Sequence, residues 1–75
     1  SYNVDLSSSR MKLININQAT AYELTLLPGI GPVIANNIVQ YREANGEFRT
    51  IEDIGKVPRI GEATLEKIKD YICIQ

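Results

Sequence analysis

A chain of 75 residues with 44% hydrophobic side chains has the makings of one small domain, near the lower limit of what folds unaided. It contains no histidine and a single cysteine, which excludes an internal disulfide, a cysteine-cluster zinc site and the commonest catalytic bases. A formal net charge of −1 and a pI of about 5.2 deny the chain as a whole the basic footprint of a nucleic-acid binder.

Residues 1–11, SYNVDLSSSRM, read as a linker or tag remnant, with Ser7, Ser8 and Ser9 in a row. The start at Ser1 raises the expectation of a piece cut from a longer chain, and the domain proper is expected over 12–75. Lys12–Ile16 alternates weakly and is expected to lie extended against the domain. Thr20-Ala21-Tyr22-Glu23 is a capping box: hydroxyl and carboxylate can satisfy the first amides of a short helix, about two turns long, that ends before Pro28.

Residues 27–32, LPGIGP, place two glycines and two prolines in six positions. No Lys, Arg, Asp, Glu or His occurs from Leu24 to Tyr41, so whatever this turn touches it must touch with backbone. The prolines and Asn36 and Asn37 break the uncharged run far short of the roughly 20 apolar residues of a membrane span. Pro32 suits the first position of a second helix, where a missing N–H costs nothing. Its apolar stripe runs through Ile34, Ile38 and Tyr41, and it stops at Asn45-Gly46, with Gly46 as a left-handed cap.

From there the pattern is written again. Thr50-Ile51-Glu52-Asp53 is a second capping box, and VPRIGE at 57–62 answers LPGIGP at an offset of 30 residues. Under that offset Thr20 matches Thr50, Leu24 Ile54, Leu27 Val57, Pro28 Pro58, Ile30 Ile60, Gly31 Gly61, Ile38 Ile68 and Tyr41 Tyr71. The last helix is expected over Glu62–Cys73, with its stripe at Leu65, Ile68 and Ile72. Neither half can bury its stripe alone. The predicted fold is all-α: two pseudo-two-fold-related hairpins, about 20–45 and 50–73, making four main helices plus a short connector. Phe48 in the connector is expected to plug the core, and Cys73 to be a small, partly buried hydrophobe.

The turns invite two explanations, a plain helix–helix connector or a ligand site. At the start of each long helix the amides of Gly31, Val33 and Ile34, then of Gly61, Ala63 and Thr64, have no partner further back in the helix. With the positive end of the helix dipole behind them they form anion sites. Two such sites on one face suit successive phosphates of a nucleic acid, and phosphate contacts alone carry no sequence information. Ile30 and Ile60 are expected to anchor the turns inward. Among the cations, Lys56 and Arg59 are placed ahead of Lys67 as phosphate contacts. Lys67 and Lys69 equally fit a solvated face shared with Glu66 and Asp70, while Glu62 opposes an anion beside Gly61.

The stretch INQATAYELTLLPGIGPVIANNIVQYREANGEFRTIEDIGKVPRIGEATLEKIKDYI resembles the tandem helix-hairpin-helix domain of bacterial competence DNA receptors, the ComEA-like family. The resemblance covers 14–73 and takes in the Asn-containing lead-in, the GEF–T–IEDI connector and both hairpins. It implies double-stranded DNA as partner, bound without sequence preference outside the cytoplasm by a membrane-tethered parent that feeds the uptake machinery. It implies phosphate contacts from Gly29, Ile30, Gly31, Val33 and Ile34, and from Arg59, Ile60, Gly61, Ala63 and Thr64. It implies no cofactor, although related hairpins sometimes hold a monovalent cation on backbone carbonyls. Arg59 departs from the family pattern, which prefers glycine there as at Gly29.

Two alternatives accompany that reading: a protein-interaction or scaffold module, which the acidic pI favours, and an accessory DNA-binding domain of a larger nuclease or repair enzyme. No catalytic constellation is evident in the chain itself, and Glu52 and Asp53 are better explained by the helix N-terminus beside them. A dinucleotide fingerprint fails because a helix leads into Gly29-Ile30-Gly31 and position 34 is Ile.

Overall fold

The computed structural model describes residues 13–75. The reading of 1–11 as a linker and the position of Lys12 lie outside the described residues. Along the chain run β1 (Ile14–Asn15), α1 (Ala21–Leu24), α2 (Pro32–Asn45), a 3-10 helix (Ile51–Lys56), α3 (Glu62–Ile68), a 3-10 turn (Lys69–Tyr71) and β2 (Ile72–Cys73). The fold is all-α, with two short parallel strands as its one extended feature among the described residues.

The repeat seen in the sequence is repeated bond for bond in the backbone. Both capping boxes form: Thr20 and Thr50 each accept from the third amide of their helix, and Glu23 and Asp53 return the bond to the cap amide. Leu27 N–H donates to Leu24 O at 3.1 Å and Val57 N–H to Ile54 O at 3.1 Å, so both short helices tighten into 3-10 geometry before the turn. The matched pairs Leu24 and Ile54, Leu27 and Val57, Ile30 and Ile60, and Ile38 and Ile68 are all buried. Each such side chain contributes about 1.5–3 kcal/mol of transfer free energy, so the eight form the bulk of a core neither hairpin could assemble alone.

The match ends in two places. Tyr41 stacks on buried Phe48 with ring centroids 5.6 Å apart, whereas its counterpart Tyr71 is exposed. Phe48 follows only the first hairpin, so Tyr71 has no plug to cover it. The last helix also stops earlier than its periodicity suggests, at Ile68 rather than Cys73. Ile72 still reaches the core, but from a strand: Ile72 and Cys73 pair in parallel with Ile14 and Asn15, and Ile16 N–H donates to Cys73 O at 3.0 Å. Closing the two ends of the domain against each other requires the chain to straighten there. Gly46 takes φ +90° but ψ 179°, an extended conformation open almost only to glycine, instead of the left-handed helical cap.

Asn17 ties this closure to the connector. Its Nδ2 donates to Phe48 O at 3.0 Å while its Oδ1 accepts from Phe48 N–H at 2.7 Å, satisfying a buried residue's backbone as a strand would. Arg42 Nη1 donates to Ile16 O at 3.0 Å, so this cation serves the interior closure. Replacing Asn17 with alanine strands both Phe48 groups and is expected to cost about 2 kcal/mol, read as a lowered urea midpoint at unchanged m-value.

Asp53 gives the fold a dependence on pH. The Arg49 amide, above all, holds its carboxyl below the usual 3.8; desolvation opposes it, and Lys56 and the Thr50 amide add to the lowering. A lowered carboxyl stabilises the fold fully above its ordinary value and loses that contribution as pH falls through the folded-state value. Asp53→Asn is therefore expected to lose less stability than the wild type between pH 6 and pH 2.5, measured by urea unfolding at both pH values.

Candidate nucleic-acid interface

Each hairpin turn is built on the same four-residue reversal. Ile30 N–H donates to Leu27 O at 3.2 Å and Ile60 N–H to Val57 O at 3.0 Å. Proline stands second in each, and the third residue is left-handed, at φ +78° for Gly29 and +77° for Arg59. Proline followed by positive φ is the signature of a type II turn. Arg59 thus keeps the backbone path of the glycine it replaces, at a cost of about 1–2 kcal/mol for a side chain in this region. Asn37 on α2 offsets part of that cost. Its Nδ2 donates to Pro58 O at 3.1 Å, holding the central peptide of the second turn in the flipped orientation such a turn needs.

The closing bonds set two of the site positions apart from the rest. The amides of Ile30 and Ile60 are consumed inside their own turns, and their side chains are buried, so they anchor and do not donate outward. The next amides differ. Gly31 and Gly61 are the caps of α2 and α3 and use no side chain for capping. Internal bonding of each helix begins with Ala35 N–H to Gly31 O at 2.9 Å and Leu65 N–H to Gly61 O at 3.0 Å. Among the described residues the amides of Gly31, Val33, Ile34, Gly61, Ala63 and Thr64 therefore have no acceptor.

Gly31 and Gly61 adopt extended backbone that any residue could take, at φ −92° and −98°. Both positions are bare: a Cβ built at either would meet nothing within 4 Å and would stand in open space. Gly29 and Arg59, and with them Val33 and Ala63, are exposed around those amides.

The cations are distributed differently from the sequence ranking. Lys56 Nζ lies 3.5 Å from Asp53 Oδ1, and Lys69 Nζ lies 3.1 Å from Glu66 Oε1. With Arg42 bonded to Ile16 O, the cations near the turns that have no ion pair among the described residues are Arg59 and Lys67. Lys67 reaches the other hairpin's turn. A Cβ built at Gly29 would lie 3.9 Å from Lys67 Cδ, so the stem of a second-hairpin lysine runs along the first hairpin's turn. Neither this crossing nor the bond from Asn37 was anticipated from the sequence. The offset of 30 does pair Asn37 with Lys67 at one position of the two long helices, which was the available signal.

No group of three or more histidine, cysteine, aspartate or glutamate side chains among the described residues is arranged to hold a metal. Among those residues no helix is long and apolar enough to cross a membrane. Residues 9–73 match the model of the helix-hairpin-helix motif family. The chain belongs to that family. The twin turns are the hairpins that give this family its title, in the tandem ComEA-like arrangement. The chain is 54% identical over 63 residues to ComE operon protein 1 of Bacillus subtilis, matching 84% of this chain and 31% of that protein. It is 44% identical over 72 residues to the endonuclease/exonuclease/phosphatase family domain-containing protein 1 of Xenopus laevis, matching 96% of this chain but 12% of that one. An uncharacterized protein of Haemophilus influenzae is 52% identical over 60 residues, 54% of its length. The chain thus spans a minor part of the first two relatives.

The left-handed arginine yields a stability test. Arg59→Gly is expected to stabilise this helix-hairpin-helix domain by up to about 1 kcal/mol in urea unfolding, the relief of strain less the added freedom of the unfolded chain. Removing the Asn37 amide by Asn37→Ala should cost less in the Arg59→Gly background than in the wild type.

Proposed function

We propose that this domain binds double-stranded DNA without sequence preference, setting the unoccupied amides of its two turns against phosphate oxygens. The observation that carries the reading is the pair of helix starts, alike at an offset of 30 residues, each with bare glycine and acceptor-free amides. Peptide N–H groups at a helix N-terminus favour an anion through geometry and dipole together. Because these donors meet phosphate and no base edge, affinity comes without sequence discrimination. In this reading Gly29, Gly31, Val33 and Ile34 line the first contact, and Arg59, Gly61, Ala63 and Thr64 the second. Arg59 adds a charge-assisted bond of its own. A monovalent cation on the turn carbonyls would be compatible with the same contacts.

The likeness to ComE operon protein 1 supports a competence-related role. The further proposal is a membrane-tethered parent outside the cytoplasm that passes DNA to the uptake machinery, with this part as its monomeric receptor domain. The likeness to the endonuclease/exonuclease/phosphatase family domain-containing proteins favours a second setting, in which the same phosphate contacts serve a larger enzyme. In both, the chemistry lies outside this domain, which binds and does not catalyse.

Fluorescence anisotropy with duplexes of unrelated sequence tests the proposal. The expected dissociation constants lie in the range of ~10⁻⁴–10⁻⁶ M at physiological salt and agree between sequences. The salt dependence should be shallow, on the order of two to three phosphates, because most donors are neutral amides. Strong discrimination between duplexes, or no binding at low salt, would refute the proposal.

A further inference from the structure

The two turns differ in how they come by charge. The second has Arg59 within it, while the first lies in the uncharged run from Leu24 to Tyr41 and holds no cation of its own. Each long helix, however, sends the side chain at one shared position across to the other hairpin's turn. From α2, Asn37 reaches Pro58 O of the second turn, and from α3, Lys67 lays its stem along Gly29 of the first. This exchange is what a pseudo-two-fold axis between the hairpins produces, and the two residues at the shared position have divergent chemistry. The neutral amide fastens a turn that already has an arginine. The lysine reaches a turn that has no charge.

Lys67 is suited to more than packing. It is exposed and has no carboxylate partner among the described residues, unlike Lys56 and Lys69 on either side of it in sequence. Its Cδ lies 3.9 Å from a Cβ built at Gly29, an ordinary van der Waals approach, which sets the ammonium two bonds further on close to the first turn. We infer that Lys67 supplies, across the hairpin boundary, the cationic contact for the phosphate bound at the first turn, so that each turn works with one cation: Lys67 at the first, Arg59 at the second. The inference rests on the DNA-binding reading above and assigns a new role within it. The second hairpin carries the charge for both sites, and the first supplies only backbone.

The test uses Lys67→Gln, Arg59→Gln and Lys67→Arg, titrated with a short duplex at several salt concentrations and followed residue by residue through amide NMR shifts. Lys67→Gln is expected to lower the slope of log affinity against log salt by about 0.9, the share of one phosphate. It should diminish duplex-induced shifts at Gly31, Val33 and Ile34 while sparing Gly61, Ala63 and Thr64. Arg59→Gln should do the reverse, and Lys67→Arg should restore the slope. An unchanged slope in Lys67→Gln, or a loss centred on the second turn, overturns the inference while leaving DNA binding intact. A wild-type domain whose amides do not shift at either turn overturns the DNA-binding reading and the inference together.

Discussion

One hydrogen bond in each turn governs the rest of the molecule. By donating to the carbonyl three residues back, the amides of Ile30 and Ile60 force the chain to reverse within four residues. That reversal requires a left-handed residue at Gly29 and Arg59, drives the isoleucine side chains into the core, and releases the chain into a new helix with its first amides uncovered. Stability and availability for a ligand are therefore not independent here. The isoleucine whose amide is spent on the turn holds it firmly enough for the following amides to face solvent in fixed directions.

A net negative domain that meets a polyanion can work if its attraction is local. Free amides carry partial charge without carrying a counterion. In the proposed reading Arg59 and Lys67, without an ion pair among the described residues, would add local attraction at the turns. Negative charge is placed where it is useful to the fold, as at Asp53, which caps a helix and neutralises Lys56 at once. Glu62, exposed in the first turn of α3, would work against an anion at the proposed second site. Arg59 brings positive charge to the same turn, where a glycine would give the easier backbone but no charge. The second turn has exchanged some conformational ease for charge, while the first keeps its glycine and, on the inference above, would borrow its charge from Lys67.

Much of this was legible in the sequence because the repeat is close and its punctuation strong. Capping boxes, Pro32 after Gly31, and matched aliphatic positions fix where helices start and what they bury, and those features depend on local chemistry. What was hidden depends on partners distant in the chain. The periodicity through Ile72 is helical on its face, yet Ile72 reaches the core from a strand because Ile14 waits beside it. The engagement of Arg42 with Ile16, and of Lys56 with Asp53, shows only when the chain is folded. So does the approach of Lys67 to Gly29, since the sequence places that lysine only on the last helix. The family resemblance added Ile30 and Ile60 to the contacts, whereas the pattern's own list of free amides left them out, and both spend their amides internally.

The central claim is that uncovered peptide groups at both turns meet the same duplex together. The most direct measurement is a map of amide shifts in the unmodified domain on adding a short double-stranded oligonucleotide. The account predicts concurrent movement at Gly31, Val33, Ile34, Gly61, Ala63 and Thr64, saturating at one duplex concentration, with Ile30 and Ile60 least affected among their neighbours. Shifts confined to one turn, or centred on the faces of the helices away from both, would contradict it.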